Sequence, residues 1–304
     1  MKILSDSFNG PYDLSILGLG YEERASSKYN QEKDLLGEVL ALGYLTHTEI
    51  LHYKANKDKY VSGHSNVFEG NDKDVKSYLN EWLKEKIGEK NKPINVLIDI
   101  TVFSRSRLAA LLYILVKSLP KSSILTISYE ISKFVSAPDG LSPIKKVGDI
   151  IPELSGTIGD LNKPTALILG LGYEDGKALG LATYLEPEFN FALVPIGVDK
   201  KFDDLVVKNN QAFLNEIPSS RIVHYRLDQP YNTYIDMRDL VSATSSFATP
   251  LIAPLGPKIL TAISVLIAIE FNEKLPVWRV SSDYEEKPVN RKPSGTSVKL
   301  SVMI

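Results

Sequence analysis

Asp99, Thr101 and Arg105 have the residue types and the spacing of an anion-binding turn. Asp99 ends the buried strand predicted in the apolar run 94–100, Thr101 is placed to cap the helix that follows, and Arg105 lies about one helical turn further on. With Ser104, this turn would bring hydroxyl groups, backbone N–H groups and a guanidinium to one anion. The alternative is a simple N-cap by Thr101, with Arg105 paired to Asp99.

A second kind of candidate turn occurs twice in the chain. The segment Ile-Leu-Gly-Leu-Gly-Tyr-Glu occupies residues 16–22 and returns unchanged at residues 168–174. Its repetition at half the chain length indicates a tandem duplication. Glycines let the backbone approach a ligand closely, and the start of the next helix offers N–H groups. The ligand-binding candidates in these turns are Gly18, Gly20, Tyr21, Glu22, Gly170, Gly172, Tyr173 and Glu174.

The acidic residues of these turns limit the kind of ligand they suit. Glu23 and Asp175 stand where the dinucleotide fingerprint has its third glycine, so the match to that fingerprint is weak. Glu22 and Glu174 favour the helix dipole but oppose a phosphate at the same place. A ribose hydroxyl or a base amino group would suit a carboxylate better. The alternative is a tight strand-to-helix turn with a capping carboxylate.

The pattern of apolar residues predicts strands and helices in alternation. In the first half it predicts strand 14–17, one helix over 22–42, strand 48–53, helix 74–87, strand 94–100, helix 105–118 and strand 123–129. In the second half it predicts strand 166–169, helix 177–184, strand 191–194, helix 202–217, strand 222–225, helix 234–243, strand 250–253, helix 259–271 and strand 277–280. Such alternation is typical of parallel sheets built by right-handed crossovers.

The predicted fold class is therefore α/β, with two Rossmann-like parallel-sheet repeats arranged as an intramolecular pseudo-dimer. A chain of 304 residues is long for one core and suits two domains of roughly 150 residues. We expect the first repeat at residues 1–135, a linker rich in Gly, Pro and Asp at 136–164, and the second repeat at 165–304. The alternating tail 298–303 is expected to add an edge strand to the second repeat.

The second half has a different sequence at the position of the Asp99 turn. The equivalent segment is Ala-Pro-Leu-Gly-Pro-Lys at residues 253–258, with neither an aspartate nor a hydroxyl. Gly256 and Lys258 at a helix start can still contact a phosphate, although Lys258 can equally be a solvated lysine. The two half-sites would then be chemically unequal.

Composition excludes several classes of function. The formal net charge of −2 gives no basic field for binding duplex DNA, and the absence of cysteine rules out disulfides, thiolate zinc sites and a cysteine nucleophile. The apolar run 259–271 is shorter than the about 20 residues that a bilayer requires, and residues 1–9 are too short and polar for a signal peptide. We therefore expect a cytoplasmic protein without membrane association. Because no metal-ligand, cofactor or nucleophile motif is found, we predict neither a metal nor a cofactor and assign no catalytic residue.

Asp99, Thr101 and Arg105 also resemble the motif of a known family. The CARF domains, which sense cyclic oligoadenylates in prokaryotic antiviral defence, carry Asp-x-[Ser/Thr]-x-x-x-[Arg/Lys] after a late strand of a Rossmann-like fold, and these residues match that spacing. The segment with Gly256 and Lys258 is similar to the glycine-containing lysine loops of some CARF proteins. SAVED domains resemble two CARF units in one chain, as the duplication here does.

The resemblance implies a sensor that binds a nucleotide second messenger, such as a cyclic oligonucleotide, between its two repeats. Phosphates would be held by Thr101, Ser104, Arg105 and Lys258, and bases would stack on Tyr21 and Tyr173. Since no segment is left for an effector domain, we expect a separate effector protein. Two alternatives stay open: a metal-independent ring nuclease or nucleotide hydrolase using the same cleft, and a non-catalytic interaction subunit of a defence complex.

Overall fold

The chain divides into two α/β units. The computed structural model describes residues 1–88, 92–136, 144, 146–157, 159–281 and 288–304. The first unit comprises Met1–Lys133 and Lys287–Ile304, and the second unit comprises Phe134–Glu286.

A mixed seven-stranded sheet forms the centre of the first unit. Its strands are β1 (Lys2–Ile3), β2 (Leu14–Gly18), β3 (Glu38–Gly43), β4 (Asn66–Glu69), β5 (Asn95–Asp99), β6 (Ile124–Ser132) and β13 (Pro293–Met303), and its helices are α1 (Ser27–Glu32), α2 (Tyr53–Ser62), α3 (Asp72–Ile87) and α4 (Arg105–Ser118). Short 3₁₀ turns cover Glu23–Ser26 and Lys33–Leu35. The strand order is β1-β13-β6-β5-β2-β3-β4. The strands from β6 to β4 are mutually parallel, whereas β13 is antiparallel to both β6 and β1.

A parallel four-stranded sheet forms the centre of the second unit. The strands of this unit are β7 (Lys146–Asp149), β8 (Thr165–Gly170), β9 (Phe189–Ile196), β10 (Ile222–Arg226), β11 (Thr249–Pro254) and β12 (Trp278–Ser281), and the helices are α5 (Lys177–Leu185), α6 (Lys200–Asn209), α7 (Gln211–Asn215), α8 (Pro230–Ser245) and α9 (Lys258–Glu270). Short 3₁₀ turns cover Pro152–Leu154 and Ser219–Arg221. The parallel sheet has the order β10-β9-β8-β11, and β12 pairs antiparallel with β7 in a separate two-stranded sheet.

The two units share one arrangement of four parallel strands. The series β4-β3-β2-β5 in the first unit and β10-β9-β8-β11 in the second have the same chain order and the same directions. Their registers also agree: Leu17 lies opposite Asp99, and its counterpart Leu169 lies opposite Ala253. The register confirms the sequence alignment of Asp99 with Ala253, so the duplication extends from the repeated segment to the Rossmann-like order of strands.

Burial explains why the central elements were readable from sequence. Parallel strands that are covered on both faces are apolar along their whole length, and β2 and β8 are buried at nearly every position. Helix α4 has the bounds that the apolar spacing predicts, and α9 is buried along nearly its whole length. These elements form the scaffold from which the candidate turns project.

The prediction of one helix over residues 22–42 was wrong. Helical turns end at Leu35, and Glu38–Gly43 is strand β3, paired on both sides with β2 and β4. Gly37 separates the two elements because its φ is +59°, a conformation that glycine adopts without strain. A Cβ at Gly37 would also collide with the Tyr12 carbonyl oxygen. The apolar residues at 39–42 fit a strand as well as a helix, and pairing with β2 decides between them.

The prediction of a strand over residues 48–53 was also wrong. This stretch contains turns, and helix α2 begins at Tyr53. Leu51 is 54% exposed and has a φ of +49°, so it neither packs in the core nor has extended backbone. The strand that follows β3 is β4, which has few apolar residues and gave little signal in the sequence.

The C-terminal tail belongs to the first unit, which corrects its assignment as an edge strand of the second repeat. Strand β13 lies between β1 and β6, so it is an interior strand. Its alternating residues Val298, Leu300 and Val302 are buried, as the pattern predicts. Alternation identifies a strand but not its partner, because pairing joins residues that are distant in sequence.

The segment predicted as a linker, residues 136–164, is partly structured. Strand β7 and the 3₁₀ turn Pro152–Leu154 belong to the second unit, and Leu154 is fully buried. Residues 137–143, 145 and 158 of the predicted linker lie outside the described residues.

Candidate functional site

The candidate turns lie at the carboxyl ends of the central strands. In each unit the strand order reverses between two adjacent strands, β2 and β5 in the first unit and β8 and β11 in the second. Ligands of open α/β sheets bind at this reversal, outside the carboxyl ends of the strands. The repeated glycine turn follows β2 and β8, and the turns that begin α4 and α9 follow β5 and β11. We call this side of each sheet its carboxyl edge.

In the first unit, the repeated glycines make room for the neighbouring turn. A Cβ at Gly18 would lie 2.5 Å from Cγ2 of Val102, and one at Gly20 would lie 3.1 Å from its Cβ. The turn after β5 is therefore packed directly against the turn after β2. Glycine is required at Gly18 for this contact, whether or not a ligand binds nearby.

The second unit uses its glycines in the same way. A Cβ at Gly170 would collide with Leu260, and one at Gly172 would lie 2.8 Å from the Leu255 carbonyl oxygen. A Cβ at Gly256 would lie 2.5 Å from the Leu171 carbonyl oxygen. The three glycines predicted as ligand contacts thus allow two turns of the protein to approach each other.

A buried asparagine donates hydrogen bonds to the backbone of each repeated turn. The Nδ2 of Asn56 donates to the carbonyl oxygens of Gly20 and Glu22, both at 2.9 Å. In the second unit the Nδ2 of Asn210 donates to the Gly172 carbonyl oxygen at 2.7 Å. Sequence reasoning missed this pair. The signal was the similar spacing, since each asparagine follows its glycine by 36 or 38 residues.

Asp99 and Thr101 are buried and bonded to each other. Asp99 is 1% exposed, and its Oδ1 accepts from the Thr101 hydroxyl at 2.5 Å and from the Thr101 amide at 3.2 Å. The Thr101 hydroxyl in turn accepts from the Glu130 amide at 2.9 Å. The prediction that Thr101 caps α4 was wrong. Ser104 is the N-cap, and its hydroxyl accepts from the Arg107 amide at 3.2 Å.

From Glu130 the polar contacts continue to the tail. The Nη1 of Arg24 donates to the Glu130 carbonyl oxygen at 2.6 Å, and its Nε donates to Glu22 Oε2 at 2.6 Å. Arg291 lies just before strand β13, and its Nη1 is 3.4 Å from Glu22 Oε1. We call the residues from Asp99 through Thr101, Glu130 and Arg24 to Glu22, all of them buried, the buried polar chain. Arg24, Glu130 and Arg291 were not identified from the sequence, because the contacts of Arg24 with Glu130 and of Arg291 with Glu22 join residues that are 106 and 269 positions apart.

Burial raises the pKa of two carboxyls of this chain, Asp99 and Glu130. The pKa of Asp99 is raised by burial, against the opposing effects of its hydrogen bond from Thr101 and of the Lys28 charge. The pKa of Glu130 is raised by burial and by the nearby Asp99, against the hydrogen bond from the Gly295 amide. Lys28 is itself buried and donates to Glu32 at 2.9 Å. The two carboxyls are parts of the fold's interior, and their polar atoms face protein.

The duplicated glutamates have different surroundings. Glu22 is 6% exposed and lies between the guanidinium groups of Arg24 and Arg291. Glu174 is half-buried and forms an ion pair with Lys177 at 3.8 Å. The two turns have the same sequence, but the carboxylates of Glu22 and Glu174 therefore lie in different environments.

The more accessible predicted residues flank the packed turns of each unit. In the first unit, Ser104 is exposed, Arg105 and Tyr21 are half-buried, and Tyr21 meets the His47 ring at 5.9 Å between centroids. In the second unit, Lys258 and Tyr173 are half-buried, and Tyr173 lies 5.7 Å from the Phe202 ring. Arg105 and Lys258 each occupy the first position of their helix.

Within the described part of the chain, no group of three or more His, Asp or Glu side chains is placed to hold a metal ion. None of the described helices has both the length and the apolar character needed to cross a bilayer.

Comparisons with known proteins add little to this geometry. No protein-family model matches the chain, and no curated protein sequence matches it. One solved structure that is weakly similar is phosphoethanolamine N-methyltransferase 1 of Haemonchus contortus, in complex with phosphoethanolamine and S-adenosylhomocysteine. It has 9% sequence identity and a TM-score of 0.24 over 98% of this chain and 89% of that chain. A likeness at this level supports no conclusion about function.

Proposed function

We propose that the chain is a sensor of a nucleotide signal, such as a cyclic oligonucleotide, in prokaryotic antiviral defence. The nucleotide phosphates bind at the carboxyl edges, and a separate effector protein in the cytoplasm receives the signal. The defence context comes from the resemblance of Asp99, Thr101 and Arg105 to the CARF motif.

One observation carries the binding part of the proposal. Both equivalent helices that follow the fourth strand of the series begin with a basic residue, Arg105 in α4 and Lys258 in α9. Helices of 14 and 13 residues carry a partial positive charge at their first turn. A basic side chain at that place adds a charge-assisted contact to the same anion.

The surroundings of Glu22 remove an objection to phosphate binding in the first unit. Its carboxylate is paired with the buried guanidinium of Arg24, in the same turn, at 2.6 Å. This ion pair offsets the negative charge that the sequence places in this turn. Tyr21 beside this turn offers an aromatic face on which a base can stack.

Melting curves and calorimetric titrations with mononucleotides, linear oligoadenylates and cyclic oligoadenylates test the proposal. A ligand at 100 times its dissociation constant stabilises the folded chain by about 2.7 kcal/mol, which gives a measurable shift in melting temperature. Failure of every nucleotide to shift the melting curve or to give binding heat contradicts the proposal.

The residues are tested with matched variants. Arg105→Ala is expected to weaken nucleotide binding roughly tenfold to hundredfold, because one charge-assisted hydrogen bond is lost. Arg105→Lys should restore part of the affinity. The control is Lys117→Ala, which removes one positive charge from the exposed last turn of the same helix. Equal effects of Arg105→Ala and Lys117→Ala would mean that general charge, and not this position, governs binding.

Lys258→Ala, with the exposed Lys208→Ala as its control, applies the same test to the second unit. Arrangement of the repeats as a pseudo-dimer around one ligand belongs to the proposal too. It requires that Arg105→Ala and Lys258→Ala weaken the same binding event. Chromatography of the titrated nucleotides separates a sensor, which returns them intact, from a ring nuclease or hydrolase, which does not.

A further inference from the structure

The C-terminal strand has two parts that are anchored in different ways. Beyond Ser297 the strand is interior to the sheet, with Val298, Leu300 and Val302 buried. Residues 288–297, which we call the strap, include no buried residue. Between the pairs Pro293–Ser132 and Ser297–Glu130 the chain advances four residues on β13 but two on β6. The ladder is therefore interrupted where the two parts join.

Gly295 lies inside this interruption and has a φ of +87°. A glycine with positive φ at a bulge is a position where the backbone can change direction at little cost. A Cβ there would meet no atom within 4 Å, so backbone conformation and not packing is what requires the glycine.

Polar contacts hold the strap across the carboxyl edge of the first unit. The Glu23 amide donates to Asn290 Oδ1 at 2.9 Å, and the Arg24 amide donates to the Arg291 carbonyl oxygen at 3.3 Å. The Lys133 amide donates to the Lys292 carbonyl oxygen at 2.9 Å.

Two further contacts join the strap to the buried polar chain. The Gly295 amide donates to Glu130 Oε1 at 3.1 Å, and Arg291 lies 3.4 Å from Glu22. Segments held by few apolar contacts and by solvent-exposed hydrogen bonds open locally at a lower free energy than the core.

We propose that the strap is a lid on the carboxyl edge of the first unit: it opens about Gly295 while Val298–Met303 stays in the sheet, and nucleotide binds the turn after β2 with the lid open. Opening uncovers Glu22, Arg24 and Glu130 beside β2 and β6. For a ligand that binds only the open form, the apparent affinity is the intrinsic affinity multiplied by the fraction of molecules that are open. The identity of the ligand rests on the proposed function; the opening of the strap does not.

Amide hydrogen exchange, measured by NMR without ligand, tests the opening. The amides of Glu23, Arg24 and Lys133 are bonded to the strap, whereas those of Leu19 and Ile100 are bonded within the same sheet to Leu42 and Ser128. After correction for intrinsic rates, we expect the first group to exchange at least about 100-fold faster than the second. Equal protection of the two groups would show that the strap opens only with the whole unit and would overturn the lid.

A disulfide lock tests the coupling to nucleotide. Because the chain has no cysteine, the pair Ser132→Cys and Pro293→Cys introduces its only thiols. These residues are opposite each other in the ladder, where the Cα separation suits a disulfide. The control pair, Thr126→Cys and Ser301→Cys, joins opposite residues of the interior part, whose hydroxyl oxygens are 2.8 Å apart.

Oxidation of the strap lock is expected to slow exchange at Glu23, Arg24 and Lys133 and to weaken nucleotide binding at least tenfold relative to the reduced form. Oxidation of the control pair should change neither. Equal affinity of the locked and reduced strap overturns the gating. If exchange shows opening but neither form binds any nucleotide, the proposed function fails and the opening strap remains.

Discussion

The buried Asp99 gives a prediction in which charge and hydrogen bonding are separable. Its Oδ1 accepts two hydrogen bonds from Thr101, and the side chain is 1% exposed. In Asp99→Asn the amide oxygen can accept both bonds, while the ionisable group is gone. In Asp99→Ala both bonds are lost, which is expected to cost roughly 2–4 kcal/mol of unfolding free energy.

The sign of the pH dependence follows from the raised pKa of Asp99. A carboxyl titrates near pH 3.9 in the unfolded chain, and burial raises the pKa of Asp99 in the folded chain. The folded state therefore holds this proton more tightly. The stabilisation that comes from this tighter proton binding is fully present below about pH 4, and it is lost as pH rises through the pKa that Asp99 has in the folded chain. Asp99→Asn has no such loss, so its stability relative to wild type should increase from pH 4 to pH 7.

Urea unfolding at several pH values, followed by circular dichroism, measures these differences. At pH 7 we expect Asp99→Asn to be within about 1 kcal/mol of wild type or more stable, and Asp99→Ala to be clearly less stable. Asp34→Asn, at an exposed position, is the control for a general change of charge. The opposite slope would refute the reasoning: if Asp99→Asn loses stability relative to wild type as pH rises, the ionised carboxylate is the favoured form in the fold.

Three further changes test the packing of the carboxyl edge. Arg107→Met removes a buried guanidinium that donates to two backbone carbonyls and to Asp72, so we expect a loss of about 3 kcal/mol and a melting temperature roughly 6–12 °C lower; an unchanged melting temperature would contradict this role. Gly18→Ala should cost about 1–3 kcal/mol by collision with Val102. Adding Val102→Ala should recover part of that loss, and a strictly additive double mutant would rule out the contact. Asn56→Ala should lower stability by roughly 2 kcal/mol, measured by urea unfolding, since the carbonyl oxygens of Gly20 and Glu22 each lose one hydrogen bond.

The two repeats illustrate how a duplicated turn can diverge without changing its letters. In the first unit, Arg24 and the tail residue Arg291 enclose Glu22. In the second unit, Gly176 stands two residues after Glu174, and Lys177 forms its ion pair. The environments of Glu22 and Glu174 differ because their neighbours differ, and one neighbour of Glu22, Arg291, comes from the C-terminal tail. Functional transfer from one repeat to the other therefore has to be tested at each site.

The sequence by itself determined the duplication, the α/β alternation and the bounds of helix α4. These features depend on local periodicity and on identity between segments, both of which are present in the linear chain. It also determined the alignment of Asp99 with Ala253, which the strand registers confirm.

Only the tertiary structure decided which strands pair and which charges meet. The sequence of residues 38–43 is compatible with a helix or a strand, and pairing with β2 and β4 makes it a strand. The sequence of the tail is compatible with pairing in either sheet, and it pairs with β6 in the first unit. The sequence predicted Asp99 as a ligand contact, whereas in the fold its carboxylate accepts from the Thr101 hydroxyl, which in turn accepts from the Glu130 amide. Pairing and burial join residues that are far apart in the chain, so their free energies depend on the assembled fold and leave no local pattern to read.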